Sequence, residues 1–291
     1  MRVLIIGSNG QLGSDLVSEF QQKTPFDIIT LNREDLNLEN LDQIKSVINK
    51  LEFDILVNCA SYHITDEVER NSDLAFKVNS SAVECLAQCC KQKNAILYHY
   101  STDYIFGGDE TKKSPYSELD PPSPINIYGS SKLLGENLAK ITSRNVVIIR
   151  VASLFGLKGS RGKGGNFIET ILSLSKKKSE IEVVDDQIMS PTYTKDVARI
   201  TLKLADNKVT NGTYHLVNSG SASWYQLAQK IIQLTKSKLA ITPISSLDYK
   251  TVAKRPKFSV LDNSKIQNHF SITLRSWDEA LYSYLKEKGH I

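Results

Sequence analysis

Apolar positions follow two alternating patterns through the first 150 residues. Short, nearly continuous apolar runs at residues 3–6, 27–31, 54–58, 96–101 and 146–150 predict strands. Between them, Leu41, Ile44, Val47, Ile48 and Leu51 recur at helical spacing, as do Leu74, Val78, Ala82, Cys85, Leu86 and Cys89. Strand and helix in turn predict a parallel sheet with crossover helices, and strands covered on both faces explain why the runs do not alternate with polar residues. After Arg150 the rhythm loosens into a Gly-rich stretch at 156–165, then mixed elements including 181–184, 214–217 and a helix from about 224 to 235. In such folds ligands bind beyond the carboxyl ends of the strands, so candidate chemistry is sought there.

Composition narrows the class. Of 291 residues, 41% are apolar and 23% charged, which suits a folded globular chain rather than a disordered or fibrous one. No apolar run approaches a membrane span and Val3 to Gly7 is too short for a signal-peptide core, so a soluble, cytoplasmic protein with no membrane partner is expected. A net charge of +4 is mild, and Lys176, Lys177 and Lys178 read as a solvated helix end, so no nucleic-acid partner is expected either. Cys59, Cys85, Cys89 and Cys90 lack metal-ligand spacing and read as reduced structural thiols. His63, His99, His215, His269 and His290 also lack such spacing, and no metal is assigned.

Three constellations lie just after strands. Gly7, Ser8, Asn9, Gly10, Gln11, Leu12 and Gly13 give G-x-x-G-x-x-G between the first strand and a helix. There the glycines allow a tight turn, backbone approach to a pyrophosphate and close helix–strand packing. After the second strand, Asn32, Arg33, Glu34, Asp35 and Leu36 place no carboxylate at once on the ribose; Arg33 can grip a 2′-phosphate, favouring NADPH with NADH as the alternative, while Asp35 sits beside the adenine. Tyr128 and Lys132 stand one helical turn apart, so the cation can lower the phenol's pKa, and Thr102, at a hydroxyl-rich strand end, offers a second donor to the same substrate oxygen. The fold class is therefore α/β: a Rossmann-type doubly wound parallel sheet with a smaller, mixed α/β substrate lobe. Residues 1–150 form the dinucleotide-binding domain and 151–291 mainly the substrate-binding lobe, with segments at about 185–217 able to return to the first domain.

Together, the Gly-rich turn, Ser101-Thr102-Asp103 and the Tyr128/Lys132 pair resemble an extended short-chain dehydrogenase/reductase, and more closely the dTDP-4-dehydrorhamnose reductase family. Further resemblance lies in Val57 to Tyr62, Tyr104 to Phe106, Pro124 to Leu133, Gly165-Asn166-Phe167, Asp186 to Thr192, Tyr214-His215, Ser223-Trp224 and Arg255 to Asp262. It implies that Thr102, Tyr128 and Lys132 are catalytic, with Tyr128 the proton donor. It implies that Asn58, Ala60, Ser61, Tyr62 and Asn79 join Tyr128 and Lys132 along the cofactor. Thr102, Asp103, Tyr104, Asn166, Gln187 and Arg255 would meet a nucleotide-sugar substrate. The implied activity is NADPH-dependent reduction of the C4 ketone of a nucleotide-linked 4-keto-6-deoxy-sugar, foremost dTDP-4-dehydro-L-rhamnose, and a homodimer is compatible with it.

Two departures bear on the sugar. After Arg150 the family commonly has an aromatic ring beside the sugar, where this chain has Ser153, and Tyr62 to Glu67 replaces the usual residues after the third strand. Another nucleotide-sugar reductase or epimerase is therefore an alternative, as is a non-catalytic NADP-binding regulatory subunit similar to the methionine adenosyltransferase β subunit. The stretch 156–165 lacks the glycine and hydroxyl spacing of a phosphate-binding P-loop and reads as a mobile basic loop that closes over the diphosphate.

Overall fold

The computed structural model describes residues 1–22, 26–159 and 165–291, so the expected basic loop lies largely outside the described residues. The first half runs β1 (Arg2–Ile6), α1 (Gln11–Gln21), β2 (Asp27–Leu31), α2 (Leu41–Ile48), β3 (Ile55–Asn58), α3 (Thr65–Arg70), α4 (Ser72–Phe76), α5 (Ala82–Gln92), β4 (Ile96–Thr102), α6 (Ile127–Thr142) and β5 (Val146–Val151). The second half runs β6 (Leu154–Phe155), α7 (Phe167–Ser175), β7 (Glu180–Val184), β8 (Ile188–Met189), β9 (Thr192–Tyr193), α8 (Thr194–Asp206), β10 (Gly212–His215), β11 (Ala222–Ser223), α9 (Trp224–Thr235), β12 (Ala240–Ile244), α10 (Ser264–Phe270) and α11 (Trp277–Glu287).

Among the described residues, six strands form one sheet in the order β10-β5-β4-β3-β1-β2, every neighbouring pair parallel. Helices cover both faces, in a Rossmann-type arrangement. Strand periodicity divides each apolar run between two cores. Val3 and Ile5 join Leu16 and Phe20 of α1 and Val197 of α8, whereas Leu4 and Ile6 join Ile44 and Ile48 of α2 and Leu86 of α5. Full burial of each such side chain stabilises the fold by about 1.5–3 kcal/mol. The order reverses between β1 and β3, and that reversal opens a crevice at the carboxyl ends of the strands.

The second half builds its own core from α7, α9 and α11, where Ile168, Leu227, Ile231 and Leu281 surround Phe155 and Tyr193, whose rings stack 5.5 Å apart. Helix α9 begins at the expected residue because Ser223 and Gln226 form a capping box. Segment 194–215 rejoins the large sheet: α8 packs on α1, Thr194 Oγ1 donates to Asp15 Oδ2 at 2.5 Å, and β10 extends the sheet beside β5. The stripe from Leu74 to Cys89 is not one helix, because a π-turn (Lys77–Ser81) separates α4 from α5. That wider turn places Asn79, whose amide bonds both backbone groups of Tyr62 at 2.9 Å and the Ser131 hydroxyl of α6 at 3.1 Å.

Candidate active site

A cleft of about 750 Å³ lies over the reversal in strand order. Its floor is the turn after β1, where Gly7 adopts φ +80° and Gly10 N–H donates to Gly7 O at 3.0 Å. A Cβ on Gly13 would stand 2.1 Å from Gly7 O, so only glycine lets α1 start this close to the strand. The start of α1 carries no side-chain cap and no acidic residue in its first turn, leaving backbone donors and the positive end of the helix dipole for an anion.

Most of the expected residues gather here. Gly7, Asn9, Gly10, Gln11, Leu12 and Gly13 line the cleft, with Arg33 and Leu36 beyond β2 and Ala60, Ser61 and Tyr62 beyond β3. Thr102, Asp103 and Tyr104 enter from the end of β4, Tyr128 and Lys132 from α6, and Asn166 from the start of α7. Asn166 caps α7 by accepting from Glu169 N–H at 3.1 Å, and its amide donates to Tyr284 Oη at 3.1 Å.

Five residues stand outside the lining. Asp35 turns to its own loop, accepting from Asn32 N–H at 2.9 Å. Asn58 lies fully buried beneath the floor, and Asn79 holds the Tyr62 loop from behind. Gln187 sits between β7 and β8. Arg255 Nη2 pairs with Asp66 at 3.1 Å, and its charge reaches Tyr104.

Helix α6 is positioned at both its cap and its face. Asn126 accepts from Gly129 N–H at 2.8 Å, and a Cβ on Gly129 would come within 2.0 Å of Tyr104 O. That close approach sets Tyr128 edge-on to Tyr104, ring centroids 5.9 Å apart, and within hydrogen-bond reach of Thr102. Thr102 itself donates to Asp103 Oδ1 at 3.1 Å and accepts from Tyr104 N–H at 3.1 Å.

The electrostatics differ from the expectation for the Tyr128/Lys132 pair. Burial pushes the Tyr128 phenol above its ordinary value; the Thr102 hydrogen bond pulls it down and the Asp103 charge adds to the rise. Lys132 does not offset this, because its Nζ turns inward, donating to Tyr100 O at 2.6 Å and standing 3.2 Å from His99 Nε2. Burial pushes Lys132 down to about 8, with Glu136 acting in the opposite sense. Tyr128 is thus a fully protonated phenol at neutral pH, suited to giving a proton.

Several lining residues lie beyond those assigned a role from the sequence. Phe167 and Trp224, ring centroids 4.8 Å apart, form one wall; both lie in stretches that carried the family resemblance. Ser153 adopts φ +41°, a costly conformation for a residue with a Cβ, at the corner where Gln11 Nε2 donates to Leu154 O at 3.0 Å. Glu39 accepts from Arg33 at 2.9 Å. Among the described residues, no group of three or more His, Cys, Asp or Glu is placed to hold a metal ion, and no helix is long and apolar enough to cross a membrane.

Comparison with known proteins gives one family. The family model "RmlD substrate binding domain" matches residues 1–289. The spore coat polysaccharide biosynthesis protein SpsK of Bacillus subtilis is 37% identical over 288 residues, covering 99% of this chain and 98% of that protein. A dTDP-4-dehydrorhamnose reductase of Aggregatibacter actinomycetemcomitans is 33% identical over 291 residues, covering 96% and 97%. The crystal structure of dTDP-4-dehydrorhamnose reductase from Bacillus anthracis in complex with NADP superposes with a TM-score of 0.91 at 35% identity, over 98% of this chain and 99% of that one. Matched over residues 1–289 by the family model, and over nearly its whole length by these relatives, the chain belongs to the RmlD substrate binding domain family.

Proposed function

We propose that this chain is an NAD(P)H-dependent oxidoreductase that reduces the C4 ketone of a nucleotide-linked 4-keto-6-deoxy-sugar, with NADPH as reductant and dTDP-4-dehydro-L-rhamnose as the best-supported substrate. The carrying observation is that Thr102, Tyr128 and Lys132 line the same cleft as the Gly-rich turn. The reductase relatives and the NADP complex of the Bacillus anthracis protein support the same reading. The free cysteines suit a reducing compartment, so we place the protein in the cytoplasm.

The residues present fit a dinucleotide. Among the described residues, Gln11 Oε1 and Ser101 Oγ are buried without a protein partner, and both residues line the cleft. The uncapped start of α1 suits a pyrophosphate. The Arg33 side chain is 85% exposed, and its ion pair with Glu39 is the kind of surface contact that yields readily to a 2′-phosphate.

Bound NADPH supplies the hydride that reduces the ketone carbon. Tyr128 passes its phenolic proton to the ketone oxygen, and Thr102 donates a hydrogen bond to that oxygen after turning from Asp103. Lys132 leaves the resting phenol protonated because Tyr100 O holds its Nζ inward; when the phenolate forms, Nζ turns outward so that its charge, one helical turn away, stabilises it. Tyr62, Asn79 and Asn58 shape the cofactor side, and Asp103, Tyr104, Asn166, Gln187 and Arg255 the side of the nucleotide-sugar. The test supplies purified protein with NADPH and enzymatically generated dTDP-4-dehydro-L-rhamnose and identifies the product by NMR. Formation of dTDP-L-rhamnose is expected; NADPH binding without turnover overturns the substrate assignment. Ser153 favours a second reading, a different 4-keto-sugar, because a serine supplies no ring for stacking at this position. A panel of nucleotide 4-keto-sugars in the same assay separates the two.

A further inference from the structure

Beneath the cleft, Ala60 N–H, Asn58, His99, Lys132 and Tyr100 C=O form a continuous polar chain, with Asn58 and His99 fully buried and Lys132 2% exposed. Ala60 N–H donates to Asn58 Oδ1 at 3.2 Å, and this turns Asn58 Nδ2 towards His99 Nδ1, also at 3.2 Å. We propose that His99, with Asn58 behind it, is the positioning residue of Lys132: a hydrogen-bond adaptor that satisfies this buried amine in both its charged and its neutral form.

The proton inventory of the two side chains fixes their roles. Burial, and then the Lys132 charge, hold His99 well below its ordinary value, so its imidazole is neutral, with one N–H and one bare nitrogen. When Asn58 Nδ2 donates to Nδ1, the imidazole proton sits on Nε2 and points at Lys132 Nζ, 3.2 Å away. That contact suits a neutral amine, which accepts on its lone pair while donating to Tyr100 O. An ammonium has three donors and no lone pair. For it, Nε2 must be the bare nitrogen, the proton must sit on Nδ1, and the Asn58 amide must turn over to present Oδ1, giving up the bond from Ala60 N–H, which faces the cleft. The two arrangements differ by one proton on Lys132, the tautomer of His99 and a half-turn of one amide. A leucine in this position serves neither state.

The charged group facing Lys132 from its own helix is Glu136, one turn onward; it is held by Arg150 of β5 at 2.8 Å and by Lys140 at 3.8 Å, and it favours the ammonium. Tyr128 lies one turn back, and β4 contributes Tyr100 and His99. The functional weight of the proposal rests on the reading that Lys132 supports proton delivery by Tyr128. Each reduction draws one proton from the site, and a lysine that changes charge without leaving its burial needs a partner competent in both states.

The test begins with wild-type protein labelled with 15N-histidine, its His99 signals assigned by their loss in His99→Gln. From about pH 6 to about pH 10, the His99 proton is expected to pass from Nδ1 to Nε2, following Lys132, whose titration is centred near about 8. A single tautomer across that range overturns the proposal. No substrate is involved, so a failed turnover assay leaves this result standing, and the converse also holds. In active enzyme, His99→Gln retains the pH profile, because an amide can donate or accept. His99→Leu lowers kcat about tenfold or more with unchanged NADPH affinity, and its alkaline limb moves to lower pH. Wild-type kcat and profile in His99→Leu also overturn the proposal, and the NMR result decides if that variant does not fold.

Discussion

Ser259 donates a hydrogen bond at 2.6 Å to Oδ2 of Asp103, a carboxylate 2% exposed at the end of β4. The other oxygen of Asp103 accepts from Thr102, so a hydroxyl from the second half of the chain helps to aim a hydroxyl in the cleft. Removing it in Ser259→Ala leaves a buried carboxylate short of a donor, a change of about 1–3 kcal/mol. We expect kcat to fall about tenfold while NADPH affinity is kept, measured by steady-state turnover and fluorescence titration. A wild-type kcat removes Ser259 from the positioning chain.

Tyr128→Phe removes the proton donor but keeps the ring against Tyr104. The expected loss in kcat is about 10²–10⁴-fold, with NADPH bound as before. Retained turnover identifies another donor.

Cofactor choice follows from the competition of Glu39 with a phosphate for Arg33. Arg33→Ala should weaken NADPH binding by about tenfold or more and leave NADH binding nearly unchanged, since charge-assisted bonds to phosphate are the strong ones. Glu39→Gln frees the guanidinium and should tighten NADPH binding by a few-fold at most, as expected for a surface pair. Equal effects of Arg33→Ala on the two cofactors contradict a 2′-phosphate contact.

Two histidines contribute to the acid side of stability. Burial, followed by the Arg150 charge, pushes His215 down to about 3, and His99 also lies well below its ordinary value. Above the unfolded value near 6.5 both states are neutral and pH has no effect through these groups. Below it the unfolded chain binds protons that the folded chain refuses, so stability falls by about 1.4 kcal/mol per pH unit per histidine, down to the folded value. Denaturant unfolding at a series of pH values checks this slope, and His215→Gln should make it shallower. An unchanged slope in that variant assigns the acid sensitivity elsewhere.

The sheet was legible because its inner strands are buried on both faces and so stand out as apolar runs; β2, at the edge and only partly buried, still has the expected bounds, and the others shift by a residue or so. The Gly-rich turn was legible for a related reason, since contacts as tight as that at Gly13 permit one residue type only. Arg255 was harder to place, as its partner Asp66 lies 189 residues away in the chain. The π-turn and the left-handed Ser153 carry no residue signal, being imposed by packing rather than by local preference. His99 was within reach. Leu97 packs with the α5 side of the sheet while Tyr98 and Tyr100 face the other, so strand alternation alone puts His99 on the side of α6 and Lys132.

The return of α8 and β10 to the large sheet means that the two halves are stitched rather than hinged. A cut after β5 strips the sheet of an edge strand, uncovers Leu16 and Phe20 on α1, and leaves Asp15 without Thr194. Neither half is then a portable module. Evolution can therefore retune this protein for a new ligand only by editing it in place.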